Sequence, residues 1–482
     1  MTLSIEQLIN INTGVIHFVG IGGIGMSGIA EILHNIGLQV QGSDVASGDN
    51  IQRLTSMGIK VFIGHDISNI DGISVLVKST AIKDTNPELI AARQKFIPIV
   101  KRAEMLAELM RLKISVGVAG THGKTTTTSL IAAMFESAGK GPTVINGGII
   151  NTHGTNAYLG SGDYLIAEAD ESDETFIKVP STIGVITNID PEHLDFYGSF
   201  DKLKLSFKAF IENLPFYGFG VLCNDHAEVR ALMEQILDRK IITYGIESLA
   251  PCIKAVNIRT TIAGSDFDVE ISDRMPGGAR TLKNVHLPML GIHNVLNSLA
   301  AISVAVELTF PDDVVINGFR NFQGVKRRFT KVGELEGITI IDDYAHHPEE
   351  IAVTLRTAKI FTDNSGGRII AVVQPHRYSR VRDLFSEFLH CFELADIVLM
   401  AQIYSAGEEP LPDINSAMLV SSIKQTVGHL DVRLLDDPKD LAQIILNIAR
   451  PKDMVLCLGA GNITNWAKDL ESEMRNFKQV VA

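Results

Sequence analysis

Residues 114–130, ISVGVAGTHGKTTTTSL, constrain this chain more than any other stretch. A β-branched run passes through a glycine turn into Lys124 and four threonines, with apolar residues following at helical spacing. A strand, tight loop and helix in that order presents backbone N–H groups at a helix N-terminus. Such groups wrap a polyphosphate, a lysine neutralises its outer phosphates, and a threonine hydroxyl reaches the accompanying Mg²⁺. The spacing is the short G-T-H-G-K-T form, because Val118 stands where the longer phosphate loop carries its first glycine. Gly120, Thr121, His122, Gly123, Lys124, Thr125 and Thr126 are therefore the expected nucleotide-binding residues.

With 482 residues the chain exceeds what one core supports, so several domains are expected. Two further segments open like the first. VIHFVGIGGIGMSGIAE runs from an apolar strand into glycines and a helix, and alternating short strands and helices continue to RAEMLAELMR. From GVKRRF onward the strands ITIIDDYA, RIIAVVQP, DIVLMAQ and MVLCLGAG alternate with helical stretches. This is the pattern of parallel sheets built from βαβ units. The expected fold is α/β in three parts: an N-terminal parallel-sheet domain (1–110), a central phosphate-loop domain (111–325) and a C-terminal open α/β sheet domain (326–482). Residues 251–290 read as a small antiparallel insertion in the central part.

A net charge of −13 argues against a nucleic-acid groove. Four scattered cysteines show no metal-ligand spacing and read as free thiols of a reducing compartment. The first residues carry neither a basic nor an apolar leader pattern, and no apolar run is long enough to span a bilayer. A cytoplasmic protein without membrane insertion is expected. Oligomeric state is left open.

Gly20-x-Gly22-x-x-Gly25 follows a strand, and Asp44 lies at the end of the next one, the form of a dinucleotide fingerprint. NAD(P), another nucleotide diphosphate or plain tight packing all fit that motif alone. The later phosphate loop disfavours NAD(P), since hydride transfer has no use for it. Gly22, Gly23, Ile24, Gly25 and Asp44 are the candidates at this end.

EADESDETF ends an apolar strand in a burst of carboxylates, and TNIDPEHLD follows the next strand with His193 among acids. Beside a phosphate loop, these suit a hard, oxygen-seeking cation. Glu168 is the acid still within the strand run. Asn294 and Asn297 share a helix face and suit an adenine edge or a phosphate. KRRF places cations at the start of the third segment. DDYAHHPEE and QPHRYSR put His346, Arg377 and Arg380 in loops after strands, where guanidinium forks suit a small carboxylate.

Together, GTHGKTTTT, EADESD, TNIDPEHLD, GVKRRF, DDYAHHPEE, QPHRYSR and GAGNIT resemble the Mur ligases of peptidoglycan synthesis, in family order along nearly the whole chain. GIGGIGMSG is similar to the member that joins L-alanine to UDP-N-acetylmuramate, and less so to the recycling ligase that attaches a tripeptide. The resemblance implies Rossmann-like N-terminal and C-terminal domains around a central ATPase, and substrates UDP-N-acetylmuramate, L-alanine and ATP, with Mg²⁺ as cofactor. It implies a phosphate lysine at Lys124, metal contacts at Thr125, Glu168 and His193, and a γ-phosphate arginine at Arg328. It further implies nucleotide contacts at Asn294, Asn297 and Asp343, and alanine carboxylate contacts at His346, Arg377 and Arg380. Ala345 stands where the family usually carries glycine, and Lys78-Ser79-Thr80 replaces a commoner Ser-Ser pair. Lys202, Lys204 and Lys208 occupy the region where several family members carry a carbamylated lysine.

Overall fold

A computed structural model describes residues 14–79, 81–173, 175–261 and 263–481. Thr80 of the sugar-side motif and Glu174 of the acidic burst lie outside them, as do the first thirteen residues. The described residues divide into two compact units, one lying within 14–259, 264–288 and 294–325, the other within 260–261, 263, 289–293 and 326–481.

The first unit holds two sheets. β1 (Val15–Val19), β2 (Gln39–Asp44), β3 (Lys60–Ile63), β4 (Ile73–Lys78) and β5 (Ile99–Lys101) form one, in the order β3-β2-β1-β4-β5. Every pairing in it is parallel. Chain order reverses between β1 and β4, so the glycine turn after β1 opens at the switch point where α/β sheets bind ligands.

The other sheet is built around β6 (Ile114–Ala119). Its remaining strands are β7 (Thr143–Ile150), β8 (Thr155–Tyr158), β9 (Tyr164–Glu168), β10 (Ile183–Ile186), β11 (Phe219–Cys223), β12 (Ile241–Gly245), β13 (Ile253–Thr261), β14 (Gly264–Ile271) and β15 (Arg280–Leu287). The order is β15-β14-β13-β12-β11-β10-β6-β9-β7-β8. β6 pairs in parallel with β9 and β10, so Glu168 ends one flanking strand and Thr187 directly follows the other. The expected antiparallel insertion is the β14–β15 hairpin. It continues this same sheet, because β13 adds in parallel to β12.

One core joins the two sheets. Phe18, Met26 and Ile29 pack in the same buried cluster as Ile145, Ala157 and Leu165. Gly28 makes that approach close: a Cβ there would lie 2.7 Å from the Ala157 Cβ.

The second unit holds β16 (Thr330–Leu335), β17 (Ile338–Asp343), β18 (Ile369–Val373), β19 (Ile397–Met400), β20 (Asp431–Leu434) and β21 (Met454–Leu458), in the order β16-β17-β21-β18-β19-β20. Only β16 pairs antiparallel among these described strands. β17, β18 and β21 are almost wholly buried, which explains their continuous apolar runs. No helix among the described residues is long and apolar enough to cross a membrane.

Candidate functional site

The phosphate loop needs glycine at two backbone positions. Gly120 has φ +132° and Gly123 has φ +81°, and Gly123 caps the helix Lys124–Ser137. A Cβ on Gly120 would come within 2.1 Å of Thr187 Oγ1, and one on Gly123 within 2.7 Å of Asn297 Oδ1. The strand end at 187–190 braces the loop. Asn188 Oδ1 accepts from His122 N at 2.7 Å, and Thr187 Oγ1 donates to His122 O at 2.6 Å. Asn297 donates to Asn294 Oδ1 at 3.4 Å, and both amides are buried on one helix face beside Gly123. Thr126 is buried in the first turn.

Lys124 Nζ donates to Gly120 O (2.6 Å), Thr121 O (3.0 Å) and Glu171 Oε1 (2.8 Å). Burial alone would pull its pKa down, but the charges of Glu171 and Glu168 outweigh that and raise it, so the lysine stays charged. Glu171 is 1% exposed, and burial pushes it up to about 7 despite Lys124. Thr125 Oγ1 donates to Glu168 Oε2 at 2.9 Å, and Gly147 N donates to that same oxygen at 2.9 Å. The structure therefore brings Thr125 and Glu168 together directly. It gathers His193 with Glu171 and Glu192, one ligand atom from each lying within 4.8 Å of the others. Two carboxylates and an imidazole beside a hydroxyl–carboxylate pair make a donor set that fits a divalent cation with hard-ligand preference. Glu171 and Glu192 escaped the sequence reading, which kept only the acid inside the strand.

At the other end of this unit, Gly20 has φ +80° and its N–H donates to Ser43 O. Gly22 N donates to Asp44 Oδ2 at 2.8 Å, so Asp44 holds the glycine turn. Gly23 caps the helix Ile24–Asn35, and Ile24 is exposed beside it. A Cβ on Gly25 would meet Arg102 Nη1 at 3.1 Å, and Arg102 pairs with Asp170 of the acidic burst at 3.1 Å.

In the second unit Asp343 accepts from Phe329 N (2.7 Å) and Ala345 N (2.8 Å), fixing the turn at Ala345. Burial pushes Asp343 up to about 6, against the pull of Arg328. Arg327 and Arg328 lie over the Tyr344 ring at 4.8 and 5.5 Å. His346 Nδ1 lies 3.0 Å from Tyr344 O and 3.2 Å from Glu350. His346 and His376 meet edge to face at 5.6 Å, and His376 stacks on Tyr404 at 5.5 Å. Burial, with His346, Arg380 and Arg377 nearby, drives His376 down to about 3, so it is neutral. Arg380 Nη1 lies 3.3 Å from His376 Nδ1. Arg377 has φ +69° and donates its N–H to Tyr404 O at 2.8 Å. A non-glycine residue held there marks a backbone constrained by its surroundings. The result is a cationic corner suited to a small carboxylate, with His376 and Tyr404 added to the three residues legible in sequence.

Comparison with known proteins bears on the family of the chain. Residues 15–114 match the model described as "Mur ligase family, catalytic domain", residues 118–305 the Mur ligase middle domain, and residues 327–461 the "Mur ligase, glutamate ligase domain". The chain belongs to the Mur ligase family. Among Mur ligases, it is 55% identical over 464 residues to the UDP-N-acetylmuramate–L-alanine ligase of Rhodospirillum centenum, covering 96% of this chain and 95% of that one. The Brucella ovis protein of the same name is also 55% identical, with 96% and 98% covered. The crystal structure of the UDP-N-acetylmuramate–alanine ligase from Thermotoga maritima superposes with a TM-score of 0.80 at 28% identity, covering 97% of this chain and all (100%) of that one.

Proposed function

We propose that this Mur ligase joins L-alanine to the carboxylate of UDP-N-acetylmuramate at the expense of ATP, in the construction of peptidoglycan. The observation that carries the reading is 55% identity along 96% of the chain to ligases of that name. The phosphate loop with its charged, partly buried Lys124 suits the chemistry such a reaction requires.

A carboxylate is a poor electrophile. Its oxygen attacks the γ-phosphorus of ATP, the bond to the β-phosphate oxygen breaks, and ADP leaves an acyl phosphate. The amine of alanine then adds to the activated carbonyl; inorganic phosphate departs and the amine loses its extra proton. We assign Lys124 and the amides of 120–126 to the phosphates, and Arg328 to the transferring γ-phosphoryl group, where fixed cations stabilise developing charge. Asn294, Asn297 and Asp343 are assigned to the nucleoside. Magnesium, held by Thr125 and Glu168 with His193 and Glu171 as further donors, would screen the meeting anions. Gly22 to Gly25 and Asp44 are assigned to the UDP-sugar. His346, Arg377 and Arg380 would orient the alanine carboxylate, contributing proximity rather than proton transfer. In this reading residues 1–110 serve the sugar nucleotide, 111–325 ATP, and 326–482 the amino acid.

Offering L-alanine and the tripeptide separately, with UDP-N-acetylmuramate and ATP, tests the assignment. A mass increment of alanine on the sugar nucleotide is expected. Turnover with the tripeptide and none with alanine would replace it with the recycling reaction.

A further inference from the structure

Phosphoryl transfer to a sugar-borne acid requires two separately held substrates to meet in register. Apolar packing between the first two sheets supplies adhesion, but the hydrophobic force is non-directional and by itself leaves small shifts in register open. A buried polar tie does not, because an amide donor moved off its acceptor away from water loses the bond without replacement.

One such tie crosses this seam. Asn156 on β8 is 1% exposed. Its side-chain amide donates to Ile24 O at 2.8 Å, in the first turn of the helix that follows the glycine turn, and to Asn146 O on β7 at 3.3 Å. Asn146 is itself 2% exposed, and its amide donates to Thr125 O at 3.2 Å and to Ser129 Oγ at 2.7 Å. Two buried amides thus connect the opening turn of the phosphate helix to the opening turn of the sugar-side helix. Arg53 Nη2, at 3.5 Å from Asn156 Oδ1, orients the amide so that its N–H groups face both carbonyls. Gly28 admits the arrangement: a Cβ there would lie 3.0 Å from Asn156 Nδ2 and 2.7 Å from the Ala157 Cβ.

We propose that Asn156 is a positioning residue for the phosphoryl-transfer step, setting the spacing between the sugar-nucleotide turn and the phosphate loop. At 1% exposed, with its amide donating to two backbone carbonyls, it offers neither substrate a surface. Its effect is on the geometry in which they meet, where a misplacement of about 1 Å costs on the order of 100-fold in rate. The inference rests on the ligase reading given above.

The test uses the full chain and the variants Asn156→Ala and Gly28→Ala, the second pushing the helix from the opposite side. Calorimetry gives the Kd of UDP-N-acetylmuramate alone and of a nonhydrolysable ATP analogue alone, and rapid quench gives the single-turnover rate of ADP formation. Both Kd values should stay within about 3-fold while the rate falls roughly 10- to 100-fold. An unchanged rate, or a loss matched by weaker binding of one substrate, would overturn the proposal. If thermal unfolding shows that Asn156→Ala does not fold, Gly28→Ala decides. If the wild-type chain forms no ADP with its substrates, the ligase reading fails, and that outcome is distinct from failure of the tie.

Discussion

Lys124, which opens the helix after the phosphate loop, and buried Glu171, which follows β9, form an ion pair at 2.8 Å. The pair has unequal members. The lysine is firmly charged, whereas the carboxyl sits near neutrality at about 7 and is held down by the lysine itself. Lys124→Ala removes that restraint, so Glu171 takes up a proton at neutral pH and no unpaired charge stays buried. The variant should therefore remain folded by circular dichroism while turnover falls by about 10³-fold or more, as expected for loss of a cation at the transferring phosphate. Near-normal turnover would refute the phosphate role.

Gly120 answers to a backbone demand. Gly120→Ala places a Cβ at φ +132° and 2.1 Å from Thr187 Oγ1, a strain on the order of 1–3 kcal/mol. Nucleotide affinity should fall by at least about 10-fold with a lowered Tm. Unchanged affinity by calorimetry would show the loop to be more tolerant than its geometry implies.

Arg380 lies in the cationic corner beside His376. Arg380→Ala should raise the KM for alanine by about 10- to 100-fold and leave the KM for ATP within about 3-fold, the signature of lost charge-assisted binding. Equal effects on both would remove the carboxylate assignment.

Glu88 is fully buried beneath β2, where Ser43 Oγ donates to it at 2.6 Å and Asn69 Nδ2 at 2.7 Å, with His17 at 3.6 Å. Burial would push its carboxyl up, yet bonds from His17, Ser43 and Asn69 together carry it from 4.5 down to about 2. A depressed folded-state pKa stabilises the fold fully above about 4.5, and the gain is lost as pH falls through about 2. Glu88→Gln should lower stability at pH 7 by roughly 2–3 kcal/mol, the deficit shrinking towards pH 2–3. Denaturant titrations at pH 7 and pH 3 measure it; an equal deficit at both would contradict the account.

Much of the site was legible because its signals are local. The glycine turns after β1 and β6, Lys124, Thr125, and the arginines after β18 lie in short stretches whose residue order alone dictates a strand, a turn and a helix start. The residues that escaped are those whose meaning comes from a distant partner. Glu171 is one acid among several until folding sets it against Lys124. Asn156 has no motif, since its acceptors Ile24 and Asn146 belong to other elements. His376 was overshadowed by its neighbour Arg377, and its neutrality follows from burial against Tyr404. Asp44 fitted the spacing of a dinucleotide fingerprint, and the fold has it gripping Gly22 N, a role that spacing does not distinguish. The β14–β15 hairpin was visible as antiparallel, but its continuity with the central sheet depends on β13 pairing with β12.

The most direct test of the central claim is phosphate release by the purified chain with ATP and magnesium, supplying UDP-N-acetylmuramate and L-alanine singly and together. Release that requires both, with stoichiometric formation of the alanyl sugar nucleotide, is the predicted result. No ATP consumption with both present, or consumption indifferent to them, would contradict it.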